Sequence, residues 1–331
     1  KALFWYMKKL ASEGVAIIFT SHRMGEIMEI CDDIVVFNNG KNTGSIDFEK
    51  DGKNQDEIIG LITGDIEVTS EKHKNEDISE ETKFEVKDLQ YQEILKHINL
   101  SVKKGEVLGV GGLQGQGQVE LMLALAGNYK KIKGQAILDG KEISLKSPKT
   151  TIREGIVFVP GDRQTEGLMM QDSVYQNMIM PKLAMKKQPL FTPVKKYQKE
   201  AEEVVKILSI KTDTIDQKVN NLSGGNQQKV VVGKWIPFDI NVLLLSDPAK
   251  GVDIGAKQDL YDFVLKLAKE KGISVILYAS DNEELVDYCN RVMVMYEGSI
   301  IKELSGDDIT NANITKASLN LPEEERKEME A

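Results

Sequence analysis

The sequence has little cysteine, no long apolar run and no excess of positive charge, and each shortage excludes a class of protein. Two cysteines among 331 residues, Cys31 and Cys289, argue against a disulfide scaffold and for a reducing compartment. A membrane-spanning helix needs about 20 consecutive apolar residues, and the sequence contains no such run. The formal net charge of −9 argues against nucleic acid as the main partner. Together these features predict a soluble cytoplasmic protein.

What is present is the composition of a globular protein with more than one domain. Hydrophobic residues make up 41% and charged residues 29%, and the chain is longer than a domain of ordinary size. Short apolar stretches at 15–19 and 242–245 are predicted to be buried strands. The first residue is Lys1 and a helical pattern follows it directly, which we interpret as the start of a fragment.

One stretch of the sequence occurs twice. Residues 14–40 and 272–298 share an apolar strand, a polar turn, a helical segment, a cysteine, a second apolar strand and a closing glycine at the same spacing. An ungapped match of this length indicates an internal repeat rather than chance. The alignment places Lys1 opposite Asp259, so the first copy lacks a counterpart of everything that precedes Asp259 in the second.

The repeat and the composition predict four segments. Residues 1–63 are interpreted as the C-terminal part of a first domain, and residues 84–320 as a complete second domain. Residues 64–83 between them are rich in acidic and polar residues and predict a solvated linker, while 321–331 predict a charged tail. Strands alternate with helices in the second domain, which predicts an α/β fold around a mostly parallel sheet.

A glycine-rich segment follows a predicted buried strand of the second domain. Gly112, Gly115 and Gly117 have the spacing of a phosphate-binding P-loop, in which backbone N–H groups and a helix N-terminus hold phosphates. In that motif a lysine reaches the β- and γ-phosphates and a hydroxyl binds Mg²⁺, but Gln118 and Val119 occupy those two positions here. The glycine spacing alone is equally compatible with a tight structural turn. We interpret the segment as a degenerate P-loop.

The most specific pattern lies further along the chain. It consists of Leu222, Ser223, Gly224, Gly225, Asn226 and Gln227. Two glycines allow a backbone to approach a ligand closely, and the start of the following helix favours a phosphate. A pair of loop glycines is the structural alternative. The run resembles the signature sequence of ABC transporter ATPases, a resemblance that implies a nucleotide-binding signature here and an α/β core joined to an antiparallel β subdomain and a helical subdomain.

A second resemblance to ABC ATPases begins at the strand predicted for 242–245. In that family the strand ends in an aspartate that positions Mg²⁺, and a glutamate that polarises the attacking water follows it. Ser246 replaces the aspartate, and Asp247 replaces the glutamate with one methylene group fewer. Asp253 matches the D-loop aspartate, which communicates between the two sites in this family, and it can also cap a helix. The resemblance therefore implies a degenerate Walker B site.

The remaining expected site residues also rest on the resemblance to ABC ATPases. His22 resembles the switch histidine that contacts the γ-phosphate, and we expect it to be catalytic. The repeat places Ser280 opposite His22, so the second domain lacks this histidine. Gly161 stands where most ABC domains carry the Q-loop glutamine. Tyr91 matches an adenine-stacking aromatic, although a half-exposed strand tyrosine is an equal alternative.

One segment narrows the resemblance within the family. Residues 159–168, which include Asp162 and Arg163, are similar to a segment in the second half of tandem monosaccharide-importer ATPases. This resemblance implies ATP and Mg²⁺ as cofactors, with no metal ligand in this chain. It also implies head-to-tail packing of two nucleotide-binding domains, membrane permease subunits as partners and, through them, an extracytoplasmic sugar-binding protein. The expected location is the cytoplasmic face of the membrane, as a peripheral subunit.

The resulting functional hypothesis is asymmetric. The second domain has a complete signature and a degenerate site of its own, so we expect it to act as a lid on ATP held by the first domain. Hydrolysis would power sugar uptake in the full-length subunit, and this chain alone would be inactive. Two alternatives stay open: a non-hydrolysing pseudo-ATPase module that only binds a partner, and a non-transport ABC ATPase that acts on ribosomes or DNA. The acidic charge argues against the second alternative.

Overall fold

The structure, a computed structural model, describes residues 2–20, 24–38, 41–53, 58, 61, 78–185 and 194–320. The chain divides into two compact units. The smaller consists of Lys1–Glu71 with Asp253–Gln258, and the larger of Lys72–Val252 with Asp259–Ala331. The predicted tail (321–331) and most of the predicted linker (64–83) lie outside the described residues. The predicted division into four segments therefore stays a prediction.

The described residues of the N-terminal part include two helices and a hairpin. These elements are α1 (Ala2–Ser12), α2 (Met24–Ile30), β1 (Asp33–Asn38) and β2 (Lys41–Asp47). Ile58 and Leu61 are also helical. Strands β1 and β2 pair in antiparallel fashion. Ile27, Val36, Ile46, Phe48 and Ile58 form a small buried cluster.

Ten further strands are described in the rest of the chain. They are β3 (Thr82–Tyr91), β4 (Leu95–Lys103), β5 (Val107–Gly111), β6 (Lys133–Leu138), β7 (Lys141–Ile143), β8 (Ile156–Val159), β9 (Val242–Ser246), β10 (Ser274–Tyr278), β11 (Arg291–Tyr296) and β12 (Ser299–Ser305). One sheet has the order β12-β11-β5-β10-β9-β8, and the other has the order β4-β3-β6-β7. Among the described strands of the larger sheet, only β12 is antiparallel to its neighbour, whereas the smaller sheet is antiparallel throughout.

The central strands of the larger sheet are buried on both faces. Every residue of β5, β9 and β10 is buried. Successive side chains point to opposite faces of a strand, so Leu243 and Leu245 join one hydrophobic cluster and Leu244 joins the other. A parallel sheet covered on both faces explains why these strands are continuous apolar runs in the sequence. The parallel core, the antiparallel sheet and the helices confirm the predicted α/β fold.

The helices of this part cover the larger sheet and build a helical region. They are α3 (Gln118–Leu125), α4 (Pro148–Arg153), α5 (Val174–Met185), α6 (Val194–Ile207), α7 (Gly224–Gly233), α8 (Ile254–Lys271), α9 (Asn282–Tyr288) and α10 (Asn311–Leu319). A Cβ atom at Gly233 would lie 2.9 Å from Val204, so the absence of a side chain lets α6 and α7 pack closely. Among the described residues, no helix is both long and apolar enough to cross a membrane.

The repeat seen in the sequence is also present in the structure. The β1–β2 hairpin and the β11–β12 hairpin have the same register, with Asp33 opposite Asp47 and Arg291 opposite Ser305. Both ladders shift register at the equivalent position, after Val36 in one copy and after Val294 in the other. The helices α2 and α9 occupy equivalent places in the two copies. The shared bulge means that the two copies agree in backbone detail as well as in apolar pattern.

One predicted strand is wrong. Residues 15–19 have no regular structure, and Ile18 is 96% exposed. The counterpart of this stretch in the second copy is β10, which pairs with β5 on one side and with β9 on the other. An apolar run becomes a strand only where neighbouring strands satisfy its backbone N–H and C=O groups. Among the described residues no strand does so for 15–19.

Candidate functional site

Four predicted site positions lie at the same edge of the larger sheet. The carboxyl ends of parallel strands meet at one edge, which is where ligands bind in open α/β sheets. β5 leads to Gly112, β10 to Ser280, β9 to Asp247 and β8 to Gly161. These strands are consecutive in the order β5-β10-β9-β8. The fold thus brings the predicted P-loop, switch, Walker B and Q-loop positions together.

The predicted P-loop is closed from the inside by Gln118. This side chain is 1% exposed. Its Nε2 donates to the Leu113 carbonyl at 2.9 Å, and its Oε1 accepts the Gln116 backbone N–H at 3.1 Å. At Gly112 (φ +135°) a Cβ atom would lie 2.5 Å from Gln118 Nε2, so the glycine leaves room for the glutamine. A loop N–H group of the kind that binds phosphate is therefore already bonded to the chain.

The same loop is tied to the turn between β11 and β12. The side-chain oxygen of Gln116 accepts the Glu297 N–H at 2.6 Å, and the Gln116 carbonyl accepts the Gly298 N–H at 3.0 Å. The Gly298 carbonyl in turn accepts the Lys96 N–H at 2.8 Å. Gln116 thus fixes the loop from outside while Gln118 fixes it from inside.

The residues at this edge do not fit a magnesium-bound nucleotide. Val119, at the position expected to supply a hydroxyl ligand, is apolar and 41% exposed. Ser246 is buried at the end of β9. Asp247 has left-handed backbone geometry (φ +50°), and its Oδ1 accepts both the N–H of Ser280 at 3.1 Å and the Oγ–H of Ser280 at 3.0 Å. Mg²⁺ requires a near-octahedral set of oxygen ligands. The Val119 side chain offers no oxygen, Ser246 is buried, and Asp247 Oδ1 is already hydrogen-bonded to Ser280.

The Q-loop position is constrained by the same neighbours. A Cβ atom at Gly161 would lie 2.9 Å from the Ser246 carbonyl oxygen and 3.4 Å from the Cβ of Asp247. A glutamine at this position would therefore require the backbone of β8 or β9 to move. Four positions that differ from the ABC ATPase pattern contact one another, so these differences are not independent. They are Gly161, Ser246, Asp247 and Ser280.

The predicted signature lies at the start of α7. Ser223 precedes the helix, and its Oγ accepts the Asn226 N–H at 3.5 Å and the Asn226 Nδ2–H at 2.9 Å. Asn226 Oδ1 accepts the Lys211 N–H at 2.8 Å, which holds the preceding loop against the helix. Neither bond to Ser223 uses its hydroxyl proton, so this exposed hydroxyl can donate to an anion. The first N–H groups of a helix also favour negative charge.

Gln227 braces this helix start from inside. Its Nε2 donates to the carbonyls of Val219 at 3.2 Å and Leu222 at 3.1 Å. Its Oε1 accepts Arg163 Nε–H at 3.2 Å. Gln227 and Leu222 are both buried. The signature run thus forms one hydrogen-bonded structure with an exposed hydroxyl at its tip.

The other predicted residues have local contacts that leave their roles as predictions. Asp253 Oδ1 accepts the Ala256 N–H at 2.9 Å and caps α8. The rings of Tyr91 and Tyr129 stack with centroids 4.1 Å apart, which covers one face of Tyr91, and burial raises the pKa of Tyr129. His22 lies outside the described residues.

Lys234, which directly follows α7, is a partly buried cation that the sequence alone does not single out. Its Nζ donates to the Gly167 carbonyl at 2.6 Å and lies 5.5 Å from the ring centroid of Trp235. Burial lowers the pKa of Lys234 to about 8, because desolvation disfavours the charged form. Its contact joins α7 to the segment that follows β8.

The pKa of Lys234 predicts a pH dependence of stability. The group titrates near 10.5 when unfolded and near 8 when folded, so the unfolded state binds more protons between these values. The free energy of unfolding should therefore rise with pH across this window, by about 3 kcal/mol at most from this residue. Urea unfolding at several pH values, in the natural chain and in Lys234→Met, measures the difference. Parallel stability curves for the two proteins would contradict the assignment.

The sequence alone indicates no separate role for Arg163 or Gln116. Arg163 forms hydrogen bonds with Gln227, Lys250 and Gly251, which lie 64, 87 and 88 positions further along the chain. Gln116 bonds to Glu297, 181 positions away. Contacts of this kind depend on the folded sheet and leave no local pattern in one sequence.

Comparisons with known proteins agree with this geometry. Residues 95–250 match the ABC transporter family. The chain is 38% identical over 325 residues to "Ribose import ATP-binding protein RbsA 1" from Rhizobium johnstonii, covering 96% of the chain and 62% of the relative. It is 36% identical over 318 residues to "Ribose import ATP-binding protein RbsA" from Clostridium tetani, covering 95% of the chain and 62% of the relative. The chain thus spans less than two thirds of the length of these relatives.

Solved structures show the same fold. The protein is similar to cbiO1 from Clostridium perfringens, described as part of the ABC transporter complex cbiONQ, with a TM-score of 0.59 and 25% identity over 76% of this chain and 100% of that one. It is also similar in fold to MJ1267, an ATP-binding cassette of an ABC transporter in its ADP conformation. That match has a TM-score of 0.61 and 23% identity over 72% of this chain and 97% of that one.

Proposed function

We propose that this chain is part of the ATP-binding subunit that powers sugar uptake through an ABC importer, because residues 95–250 match the ABC transporter family and the chain is similar to ribose import ATP-binding proteins. The observation that carries this proposal is a complete, braced signature at the start of α7 in a domain whose own P-loop is closed by Gln118. The second domain then serves the site of the first domain rather than a site of its own.

The signature acts in this proposal as a lid. The Ser223 hydroxyl and the N–H groups at the start of α7 supply hydrogen-bond donors for the γ-phosphate of ATP that the first domain holds. His22 contacts the same phosphate. Bound with Mg²⁺, ATP supplies the hydrolysable phosphoanhydride. Because these contacts form only when the two domains close head to tail, ATP binding favours the closed state and hydrolysis releases it.

The partners in this proposal are the permease subunits of an importer and, through them, an extracytoplasmic sugar-binding protein. The protein lies peripherally at the cytoplasmic face of the membrane. The names of the relatives support a pentose such as ribose as the cargo class. We call the complete protein, with both nucleotide-binding domains, the tandem subunit.

The proposal predicts that hydrolysis requires the tandem subunit. Residues 1–331 alone should show negligible Mg-ATP hydrolysis, since Val119 and Ser246 supply neither the expected hydroxyl nor the expected carboxylate. The tandem subunit, assembled with its permease in proteoliposomes, should hydrolyse ATP and take up sugar. Ordinary ABC ATPase turnover from the isolated chain would contradict the asymmetry. An inactive tandem complex would favour a pseudo-ATPase that only binds a partner.

A repair variant serves as the control for this experiment. Gln118→Lys with Val119→Ser should improve nucleotide binding to the isolated chain, since the glutamine that bonds Gln116 and Leu113 is gone. It should leave hydrolysis negligible, because Gly161 and the Asp247–Ser280 contact remain. Near-normal hydrolysis at this repaired site, in a tandem subunit whose first P-loop is inactivated, would contradict this ranking of the defects.

A further inference from the structure

The guanidinium of Arg163 connects three segments of the larger unit. Its Nε donates to Gln227 Oε1 at 3.2 Å, on the signature helix. Its Nη1 donates to the Lys250 carbonyl at 2.8 Å and its Nη2 to the Gly251 carbonyl at 3.3 Å, in the loop that follows β9. Arg163 itself lies in the segment after β8. One rigid planar group thus spans the signature and the loop after the Walker B position.

The segment that carries Arg163 is itself held firmly. Residues Arg163–Gly167 form a single π-helical turn, and Asp162 caps it by accepting the N–H groups of Gln164 at 2.9 Å and Thr165 at 3.1 Å. The bond from Lys234 Nζ to the Gly167 carbonyl fixes the far end of the turn to α7. The turn therefore lies against α7 at two points, with Arg163 near its start and Lys234 near its end.

Gly224, the first glycine of the signature, is shaped by this contact. A Cβ atom at Gly224 would lie 2.8 Å from Arg163 Nη2 and 3.4 Å from the Gly251 carbonyl oxygen. The absence of a side chain lets the guanidinium and the loop approach the start of α7. The glycine therefore has a packing reason that is independent of any nucleotide.

We propose that Arg163 is a positioning residue that holds the signature and the loop at Lys250–Gly251 as one rigid body. Arg163 contacts no nucleotide in this proposal and acts through Gln227 and the loop carbonyls. The consequence for the ATPase reaction rests on the proposed function, because only a lid needs its donors fixed relative to the neighbouring loop when it closes. Placement errors of this kind slow a reaction without weakening the binding of its substrate by other groups.

The structural part of the proposal is tested by hydrogen–deuterium exchange on residues 1–331 without nucleotide. In Arg163→Met, the hydrogen-bonded amides of the two segments should exchange roughly tenfold faster, because local opening becomes easier. These are the amides of Asn226, Gln227, Lys250 and Val252. Arg163→Lys should give intermediate exchange, since one ammonium cannot reach both segments. Arg153→Met, at an exposed arginine of α4, is the matched control and should leave both segments unchanged. Unchanged exchange in Arg163→Met would overturn the proposal.

Gly224→Ala tests whether loss of the contact between Arg163 and the signature, rather than a general loss of stability, causes the faster exchange. The added methyl should displace the guanidinium, so this variant should reproduce the exchange pattern of Arg163→Met. The double variant should exchange no faster than either single one, because both remove the same contact. Additive effects would mean that Gly224 and Arg163 act separately, and would contradict the proposal that Arg163 holds the signature and the loop together.

The functional part is tested by ATP turnover in the tandem subunit with its permease. Arg163→Met should lower kcat roughly tenfold with little change in KM, and Arg163→Lys should recover part of the loss. An unchanged kcat would overturn the role in closure. A natural tandem subunit without ATP turnover would instead overturn the proposed function, and the exchange experiment would still decide whether Arg163 holds the two segments together.

Discussion

Ser223→Arg in the tandem subunit is expected to lower ATP turnover and sugar uptake by roughly 100-fold or more, on the scale of lost transition-state donors. The exposed hydroxyl of Ser223 lies at the tip of α7, where an arginine would add bulk at the surface proposed to close on the γ-phosphate. It would also remove the acceptor of both Asn226 bonds and so loosen the helix start. The measurement is turnover at saturating ATP with the permease present.

The matched control is Ser305→Arg, at another exposed serine that precedes a short helical turn. This variant should keep turnover within about twofold, since surface changes away from special features have small effects. Equal loss from both substitutions would point to a general effect of the added arginine. Unimpaired turnover in Ser223→Arg would show that the signature does not serve the active site.

Arg291→Met is expected to destabilise the larger unit by about 3–5 kcal/mol, the usual cost of breaking a buried ion pair. Glu106 is 1% exposed, and its Oε1 accepts Arg291 Nε–H at 2.5 Å. Its Oε2 accepts Arg291 Nη2–H at 3.2 Å and the Lys103 N–H at 2.7 Å. Burial alone would lower the pKa of Arg291, but the bonds to Glu106 and Glu303 outweigh it and raise the pKa. Removing Arg291 would strand a buried carboxylate.

Denaturant unfolding of residues 1–331 measures this effect. Adding Glu106→Gln to Arg291→Met should recover part of the loss, because the amide carries no charge and its oxygen can still accept the Lys103 N–H. Glu303→Gln, at the exposed end of the same network, should cost less than about 1 kcal/mol. A loss below about 1 kcal/mol for Arg291→Met would contradict the importance of this pair.

The strands of the larger sheet could be predicted because their burial leaves a direct trace in the sequence. The apolar run at 242–245 corresponds to β9, whose two faces both lie in hydrophobic clusters. The equally apolar run at 15–19 was predicted in the same way and is wrong. The difference lies in the neighbouring strands rather than in the residues themselves. The counterpart of 15–19 in the second copy is β10, which has a strand on each side, whereas 15–19 has none among the described residues. An apolar run therefore predicts a strand only where neighbouring strands can pair with it.

The identity of the site positions could be predicted better than their contacts. Spacing alone located Gln118 at the lysine position, but not its bonds to Leu113 and Gln116 inside the loop. The exchange of histidine for Ser280 followed from the repeat, whereas its two bonds to Asp247 depend on the adjacency of β9 and β10. Side-chain contacts between residues far apart in the chain need the fold before they can be derived.

The asymmetry of the two sites is tested most directly by comparing His22→Ala with Ser280→Ala in the tandem subunit. The first variant removes a proposed γ-phosphate contact at the active site and should lower transport-coupled ATP turnover by roughly 100-fold. The second removes only the Oγ–H bond to Asp247, while the Ser280 N–H bond to the same oxygen remains, so turnover should stay within about twofold. Equal and severe losses would make the two sites equivalent and would contradict a second domain that serves only as a lid.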